Sequence, residues 1–344
     1  MNKVVAESAS SETDSHGALL DVSGLHVTFT RGESAVKVVR DVSLSLAKGQ
    51  ALGVLGESGS GKSVTVKSLL GLLPERSSQT TADKAEFRGT DLLRVSDRRR
   101  RMIVGPKMSI IFQDALSALN PVHPVGRQIG EMYRVHRGYS RSRAKKAAIE
   151  MMRRVRIPDP ERRVDDYPHQ FSGGMRQRIC IAIALALDPD LVIADEPTTA
   201  LDVTIQAQIL DLLKEEQRRR GMGLILISHD ISVISEMTDW VAVMYAGRVV
   251  EYGRTREILD NPAHPYTQGL SAASSTSEPG SPMITIPGLP PNVGDLPPGC
   301  SFAPRCTAAE DVCREIRPVL EPVESDRTSR SRTAACHFTE KVME

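Results

Sequence analysis

The sequence predicts an α/β protein. A mainly parallel sheet carries helices between its strands, a small antiparallel sheet lies ahead of it, and a cysteine-bearing extension follows. Three observations carry that expectation. Short unbroken apolar runs, Ala51 to Leu55, Leu191 to Ala194 and Leu224 to Ile227, read as strands buried on both faces. Segments of helical spacing stand between them, and such alternation is the mark of parallel layers. A glycine-rich loop, Gly56 to Ser63, joins the first of these strands to a helix.

In chain order, residues 1–17 are polar and Ser-rich and read as a disordered lead. Leu25-His26-Val27-Thr28-Phe29 and Val42-Ser43-Leu44-Ser45-Leu46 place apolar side chains at every second position, the strand period, with Val38-Val39 just before the second run. Runs this close together suggest a small antiparallel sheet. Lys48-Gly49 is a turn, Ala51 to Leu55 the first buried strand, and Ser63 to Leu73 a helix. Residues 121–170, rich in Arg, Met and Ala, read as a helical insert and set a helical subdomain at about 115–175. Met175 to Leu187 reads as a buried helix ended by Asp188-Pro189. Gln206 to Arg219 is an amphipathic helix, and Val241 to Met244 with Arg248 to Glu251 form a hairpin across Ala246-Gly247. Prolines cluster from Pro279 to Pro298, so a boundary is placed near 275: one large domain over 18–275, then an extension over 276–344.

With 344 residues, 40% of them hydrophobic, the chain can bury a sizeable core. Lys and Arg total 44 against 43 Asp and Glu, a net charge of +1, which argues against a broad nucleic-acid footprint. Aromatics at 4%, with Trp240 the single tryptophan, argue against a base-stacking platform. The basic runs Arg98 to Arg101 and Arg141 to Lys146 read as solvated helix faces. No apolar run is long enough to span a bilayer, and the N-terminus lacks the charged-then-apolar pattern of a secretory signal. The expected place is the cytoplasm, with any membrane work done through partners.

Residues 171–178, Phe-Ser-Gly-Gly-Met-Arg-Gln-Arg, lead into the helix at 175. Bare N–H groups at a helix start bind anions, and glycine lets backbone approach phosphate closely. Alone, this octet is a common capping loop. Upstream, Gly56-Glu57-Ser58-Gly59-Ser60-Gly61-Lys62-Ser63 matches G-x-x-x-x-G-K-[ST] between a strand and a helix. Its backbone N–H groups would cradle phosphates, Lys62 would reach the outer ones, and the Ser63 hydroxyl would bind Mg²⁺. Downstream, a buried strand ends on Asp195-Glu196. Asp195 would hold Mg²⁺ and Glu196 would polarise the attacking water as general base. His229 stands at the carboxyl end of the strand Leu224 to Ile227, where α/β sheets place ligands, and is read as a γ-phosphate contact.

This ordered set, over roughly residues 19–270, resembles the ATPase subunit of an ABC transporter, a P-loop NTPase fold. The resemblance implies ATP and Mg²⁺ as ligands. It implies that Gln113, in Ile110-Ile111-Phe112-Gln113-Asp114, senses Mg²⁺ and the attacking water. Ser172, Gly173 and Gly174 would close on ATP bound to the opposite subunit, and Asp202, in Ala200-Leu201-Asp202, would cross the dimer interface. The family's adenine-stacking aromatic would fall near Arg31, whose guanidinium can itself stack on a ring, with Phe29 close by. Met175, where the commonest signature has Gln, and Asn261-Pro262-Ala263-His264-Pro265-Tyr266-Thr267 resemble one branch, the D-type ATPase subunits of oligopeptide and dipeptide importers.

Of five cysteines, Cys180 reads as core. Cys300, Cys306, Cys313 and Cys336 follow a C-x5-C-x6-C-x22-C spacing. In a cytosolic chain disulfides are disfavoured, and four thiolates suit structural Zn²⁺ or an iron–sulfur cluster, with no metal at all a third reading; the paired C-x₂-C knuckles typical of zinc are missing. The importer branch carries a tail similar to Gly299-Cys300-Ser301-Phe302-Ala303-Pro304-Arg305-Cys306, and the resemblance implies a [4Fe–4S] cluster on these four cysteines, with Zn²⁺ the alternative. His337 is read as a bystander.

The expected function is ATP hydrolysis on the cytoplasmic side of the cell membrane, driving uptake of dipeptides or oligopeptides. The implied partners are a second, F-type ATPase subunit, two transmembrane permeases and an extracytoplasmic solute-binding protein, with no nucleic acid. Another solute, such as nickel, glutathione or an oligosaccharide, is the alternative. A soluble ABC ATPase acting on DNA or ribosomes is a remote one, disfavoured by the short insert, the single motif set and the charge balance.

Overall fold

The computed structural model describes residues 17–32, 34–199, 201–274, 285–323 and 332–343. The expected lead, apart from Gly17, lies outside the described residues, as do Ala200 and Pro279. Two sheets organise the chain. In the first, β1 (Ala18–Arg31) and β2 (Ser34–Ala47) pair antiparallel. β4 (Ser78–Thr81) and β5 (Lys84–Phe87) add to β1, and β6 (Thr90–Asp91) adds to β5. Both long strands outrun the alternating stretches seen in sequence, because register shifts between Val22 and Leu25 and between Leu25 and Val27 let the ladder continue past interruptions of the pattern.

In the second sheet, β3 (Ala51–Leu55), β7 (Met108–Ile111), β8 (Leu191–Asp195), β9 (Gly223–Ser228) and β10 (Trp240–Tyr245) are parallel, in the order β10-β3-β9-β8-β7. Every residue of β3, β8 and β9 is buried, as their unbroken apolar runs require. β11 (Arg248–Arg254) pairs antiparallel with β10 across Ala246 (φ 49) and Gly247 (φ 80), two left-handed residues that match a hairpin turn.

Helices join the strands. α1 (Lys62–Leu69) follows β3, and α2 (Asp97–Ile103) precedes β7. The insert holds α3 (Ala115–Ala118), α4 (Val125–Arg137), α5 (Arg141–Arg154) and α6 (Pro160–Arg163). Val125, Ile129, Tyr133, Ala148 and Met152 seat it on the main core. α7 (Gly173–Leu185) and α8 (Val203–Arg220) flank β8, α9 (Ile231–Met237) follows β9, and α10 (Thr255–Asp260) and α11 (Pro265–Ser274) follow β11. The helix expected over 63–73 stops at Leu69, just before left-handed Gly71. The one expected from Met175 begins at Gly173, because the Ser172 side chain accepts from Met175 N–H and caps it there. α8 starts three residues earlier than its apolar pattern, capped by Asp202. Among the described residues no helix is long and apolar enough to cross a membrane.

The extension is joined to this frame. After α12 (Asp311–Glu315), β12 (Glu321–Pro322) pairs with β13 (Thr333–Ala334), and β13 pairs with β11. Beside that junction Glu251 is fully buried and accepts from Arg332 Nη2 at 2.8 Å, Ala263 N–H at 2.9 Å and His264 N–H at 3.2 Å. The proline-punctuated string 261–267 thus wraps a buried carboxylate. His264 Nδ1 accepts from Tyr266 N–H at 3.0 Å, and burial pushes its imidazole down to about 4, so the ring is neutral near pH 7.

Candidate nucleotide-binding site

The glycine loop connects β3 to α1 and lines a cleft of about 560 Å³ with Val38, Gln113, Glu196, His229 and Leu270. Gly56 sits where a Cβ would lie 2.3 Å from Met244 O, so only glycine lets the loop leave the sheet here. Lys62, 5% exposed, donates from Nζ to Gly56 O at 2.7 Å and Glu57 O at 2.9 Å. Burial lowers its proton affinity, while Glu196, Asp195 and Glu57 raise it. Ser63 Oγ donates to Asp195 Oδ1 at 2.6 Å, and Lys67 Nζ stands 3.5 Å from Asp195 Oδ2. The start of α1 is thereby tied to the end of β8.

Glu196 follows in a left-handed conformation, φ 47. Its Oε2 accepts from Gln113 Nε2 at 3.0 Å and Thr199 Oγ1 at 2.9 Å, and lies 3.3 Å from His229 Nδ1. Residues from the ends of β7, β8 and β9 thus meet on one carboxylate oxygen over the glycine loop. Of the residues singled out in the sequence, Gly56 to Ser63, Gln113, Glu196 and His229 line the cleft together. Asp195 stands just behind it, bonded to Ser63.

Ser172, Gly173, Gly174 and Asp202 do not line this cleft. Ser172, Gly173 and Asp202 are exposed, while Gly174 is buried where a Cβ would lie 2.5 Å from Ile205 of α8. Arg163 braces the segment, its guanidinium 4.2 Å from the centre of the Phe171 ring and donating to Gln170 O at 3.0 Å. Phe29 is partly buried against the core of the antiparallel sheet and does not line the cleft, and the Arg31 side chain lies outside the described residues.

Sequence reasoning missed Thr199, Lys67, Leu270 and two residues that reach Glu57 from elsewhere, Tyr266 and Arg305. Thr199 was within sight, three residues past Glu196. Tyr266 and Arg305 lie within the strings 261–267 and 299–306 that mark the importer branch, which assign them no role, and no local pattern points to Lys67 or Leu270.

A family model described as ABC transporter matches residues 39–199, and one described as oligopeptide/dipeptide transporter, C-terminal region, matches residues 250–313. The dipeptide transport ATP-binding protein DppD of Bacillus subtilis (strain 168) is 49% identical over 301 residues, covering 87% of this chain and 90% of that protein. The chain belongs to the ABC transporter ATP-binding family. A second relative of this ABC ATPase, the probable peptide ABC transporter ATP-binding protein y4tR of Sinorhizobium fredii, is 45% identical over 94% of this chain and 96% of its own length. Among solved structures, the ATP-binding cassette MJ0796, a dimer in a post-hydrolysis state bound to ADP and Pi, superposes with a TM-score of 0.62 at 26% identity, covering 69% of this chain and 99% of that one. The ABC ATPase fold expected from the motifs is the fold present.

In the extension of this ABC ATPase, Cys300, Cys306, Cys313 and Cys336 lie within electrostatic reach of one another, but among the described residues no group of three or more His, Cys, Asp or Glu is arranged to hold a metal ion. Three of the thiols take local partners. Cys336 Sγ accepts from Phe338 N–H at 3.4 Å, and Cys300 and Cys306 likewise accept backbone N–H groups just after them. Burial pushes the Cys336 thiol up to about 11, with the other three cysteines adding to the rise. Cys180, expected as core, is buried in α7, and its thiol is pushed up to about 12 by burial.

Proposed function

We propose that the chain powers peptide import. It binds MgATP in the cleft, closes on a second ATPase subunit and hydrolyses ATP to drive two membrane permeases fed by an extracytoplasmic solute-binding protein. The likeness of residues 250–313 to the oligopeptide/dipeptide transporter C-terminal region carries the choice of solute. The names of the relatives at 45% and 49% identity agree with it. The chain acts from the cytoplasmic face, held there by its partners. We read 18–275 as the ATPase domain, with its helical subdomain at about 115–175, and 276–344 as an extension.

Within the cleft, the loop N–H groups and Lys62 bind the phosphates. Ser63, Gln113 and Asp195 would hold Mg²⁺, which supplies charge neutralisation on the phosphates when bound. Gln113 orients the attacking water, Glu196 takes its proton and His229 contacts the γ-phosphate. Ser172, Gly173, Gly174 and Asp202 serve the nucleotide of the second subunit. The exposure of Ser172, Gly173 and Asp202 outside the chain's own cleft supports that division of labour, as does Val203, 84% exposed beside Asp202. The partner is read as an F-type paralogue. Phe112, Leu116 and Val122 expose apolar side chains along the segment after β7, suited to a permease contact.

The experiment is ATPase activity of the transporter assembled in proteoliposomes. The solute-binding protein loaded with a di- or oligopeptide is expected to stimulate it severalfold; stimulation by nickel, glutathione or an oligosaccharide in place of peptide would overturn the solute class.

The four tail cysteines are proposed to take a [4Fe–4S] cluster, with Zn²⁺ the alternative. Their mutual electrostatic influence and the backbone N–H groups on the sulfurs of Cys300, Cys306 and Cys336 support the reading. Anaerobic purification should yield about four iron and four acid-labile sulfide per chain; zinc without sulfide would refute the cluster.

A further inference from the structure

Glu57, the second residue of the glycine loop, is held from the extension. Arg305 donates from Nη1 to Glu57 Oε2 at 2.6 Å and from Nη2 to Glu57 Oε1 at 3.0 Å, a two-pronged pairing of guanidinium and carboxylate. The two side chains are 5% and 25% exposed. Arg305 is itself fixed, with Nε donating to Pro287 O at 2.8 Å and its guanidinium 5.9 Å from the ring centres of both Tyr245 and Phe302. Tyr266 takes the other side of the same loop residue: Glu57 N–H donates to its Oη at 2.8 Å. Tyr245, Tyr266 and Phe302 pack on one another with ring centres 4.6–5.4 Å apart, so the support is rigid. The carbonyl of Glu57 meanwhile receives Lys62 Nζ.

One residue therefore links the extension to the phosphate-binding lysine. Glu57 is also the one acidic residue of the loop Gly56 to Ser63. An unpaired carboxylate at the lip of a polyanion site repels its ligand, and a guanidinium clamped on it removes that repulsion.

We propose that Arg305 is a positioning residue for ATP binding: through Glu57 it holds the phosphate loop in shape and cancels the loop's negative charge. The proposal rests on the cleft being the ATP site, and MgATP binding by the wild-type chain is the control for that reading. The test is the MgATP dissociation constant of the full chain, measured with a fluorescent nucleotide. Arg305→Met should weaken binding about tenfold. Arg305→Lys should weaken it less, since an ammonium keeps the charge and loses the fork. The loss in Arg305→Met should shrink as salt screens the repulsion, which a purely packing role would not produce. In a Glu57→Gln background the same Arg305→Met change should alter affinity by less than about threefold. Binding within about twofold of wild type in Arg305→Met, or equal losses in the Glu57 and Glu57→Gln backgrounds, would overturn it. If Arg305→Met does not fold, Arg305→Lys and its salt dependence decide: affinity equal to wild type at all salt concentrations counts against the proposal.

Discussion

Glu196→Gln is expected to lower ATP hydrolysis in the assembled transporter by about 10²–10⁴-fold while leaving MgATP binding largely intact. The substitution is isosteric. Its amide oxygen can still accept from Gln113 and Thr199, which both donate to Oε2 in the wild-type protein, so the cleft keeps its shape. Only proton acceptance is lost. The predicted signature is a fall in kcat with little change in the nucleotide dissociation constant. Hydrolysis at the full wild-type rate would remove Glu196 from the role of base and turn attention to His229, 3.3 Å from the same oxygen.

Arg332→Met is expected to cost about 3–5 kcal/mol of stability, the usual penalty for leaving a buried charge without its partner. Glu251 is fully buried, and Arg332 is its one cationic partner among the described residues. Burial already holds Glu251 above its ordinary carboxyl value of 4.5, against the pull of the Ala263 N–H, the Thr267 hydroxyl and Arg332. Without Arg332 it rises further. A carboxyl whose folded value exceeds its unfolded one favours the folded state once protonated. The deficit should therefore be largest near neutral pH and shrink as pH falls toward about 4.5. His264 works in the opposite direction. Its folded value of about 4 lies below its ordinary 6.5, so folding loses stability as pH drops through that window. That contribution is common to both proteins and cancels in the difference. Urea denaturation at about pH 7.5 and about pH 5.5 measures it. A deficit under about 1 kcal/mol, or one that grows on acidification, contradicts the expectation.

The parts of the site that lie next to one another in the chain were open to reading from sequence. Gly56 to Ser63 and Asp195-Glu196 carry their chemistry in contiguous spacing at strand ends, and the parallel sheet was visible because strands buried on both faces run apolar almost throughout, with Asp195 and Ser228 only at their carboxyl ends. Gln113 and His229 each look ordinary in their own segments. Resemblance to a family pointed to the first, strand position to the second, and the fold brings both onto Glu196. Arg305 and Glu57 are 248 positions apart, and nothing local marks either as the other's partner. The pairing exists only because the extension packs back over the glycine loop. β13 escaped for a similar reason: a two-residue strand has no period to detect, and its partner β11 supplies the order. Helix starts at Ser172 and Asp202 lay outside the apolar pattern because they are set by capping side chains.

The pairing of β13 with β11 bears on how the protein is made. Synthesis runs from the N-terminus, so the seven-residue strand β11 emerges long before the segment that covers it. An uncovered strand edge is a template for pairing with a neighbouring chain, and domains begin to fold while later residues are still being added. The nascent ATPase therefore passes through an interval with its sheet open on one side. The later-made extension pairs with Glu251 and Tyr252 of β11 and sets Arg305 against Glu57. A chain cut short before Arg305 therefore lacks both the strand that pairs with β11 and the guanidinium that pairs with Glu57.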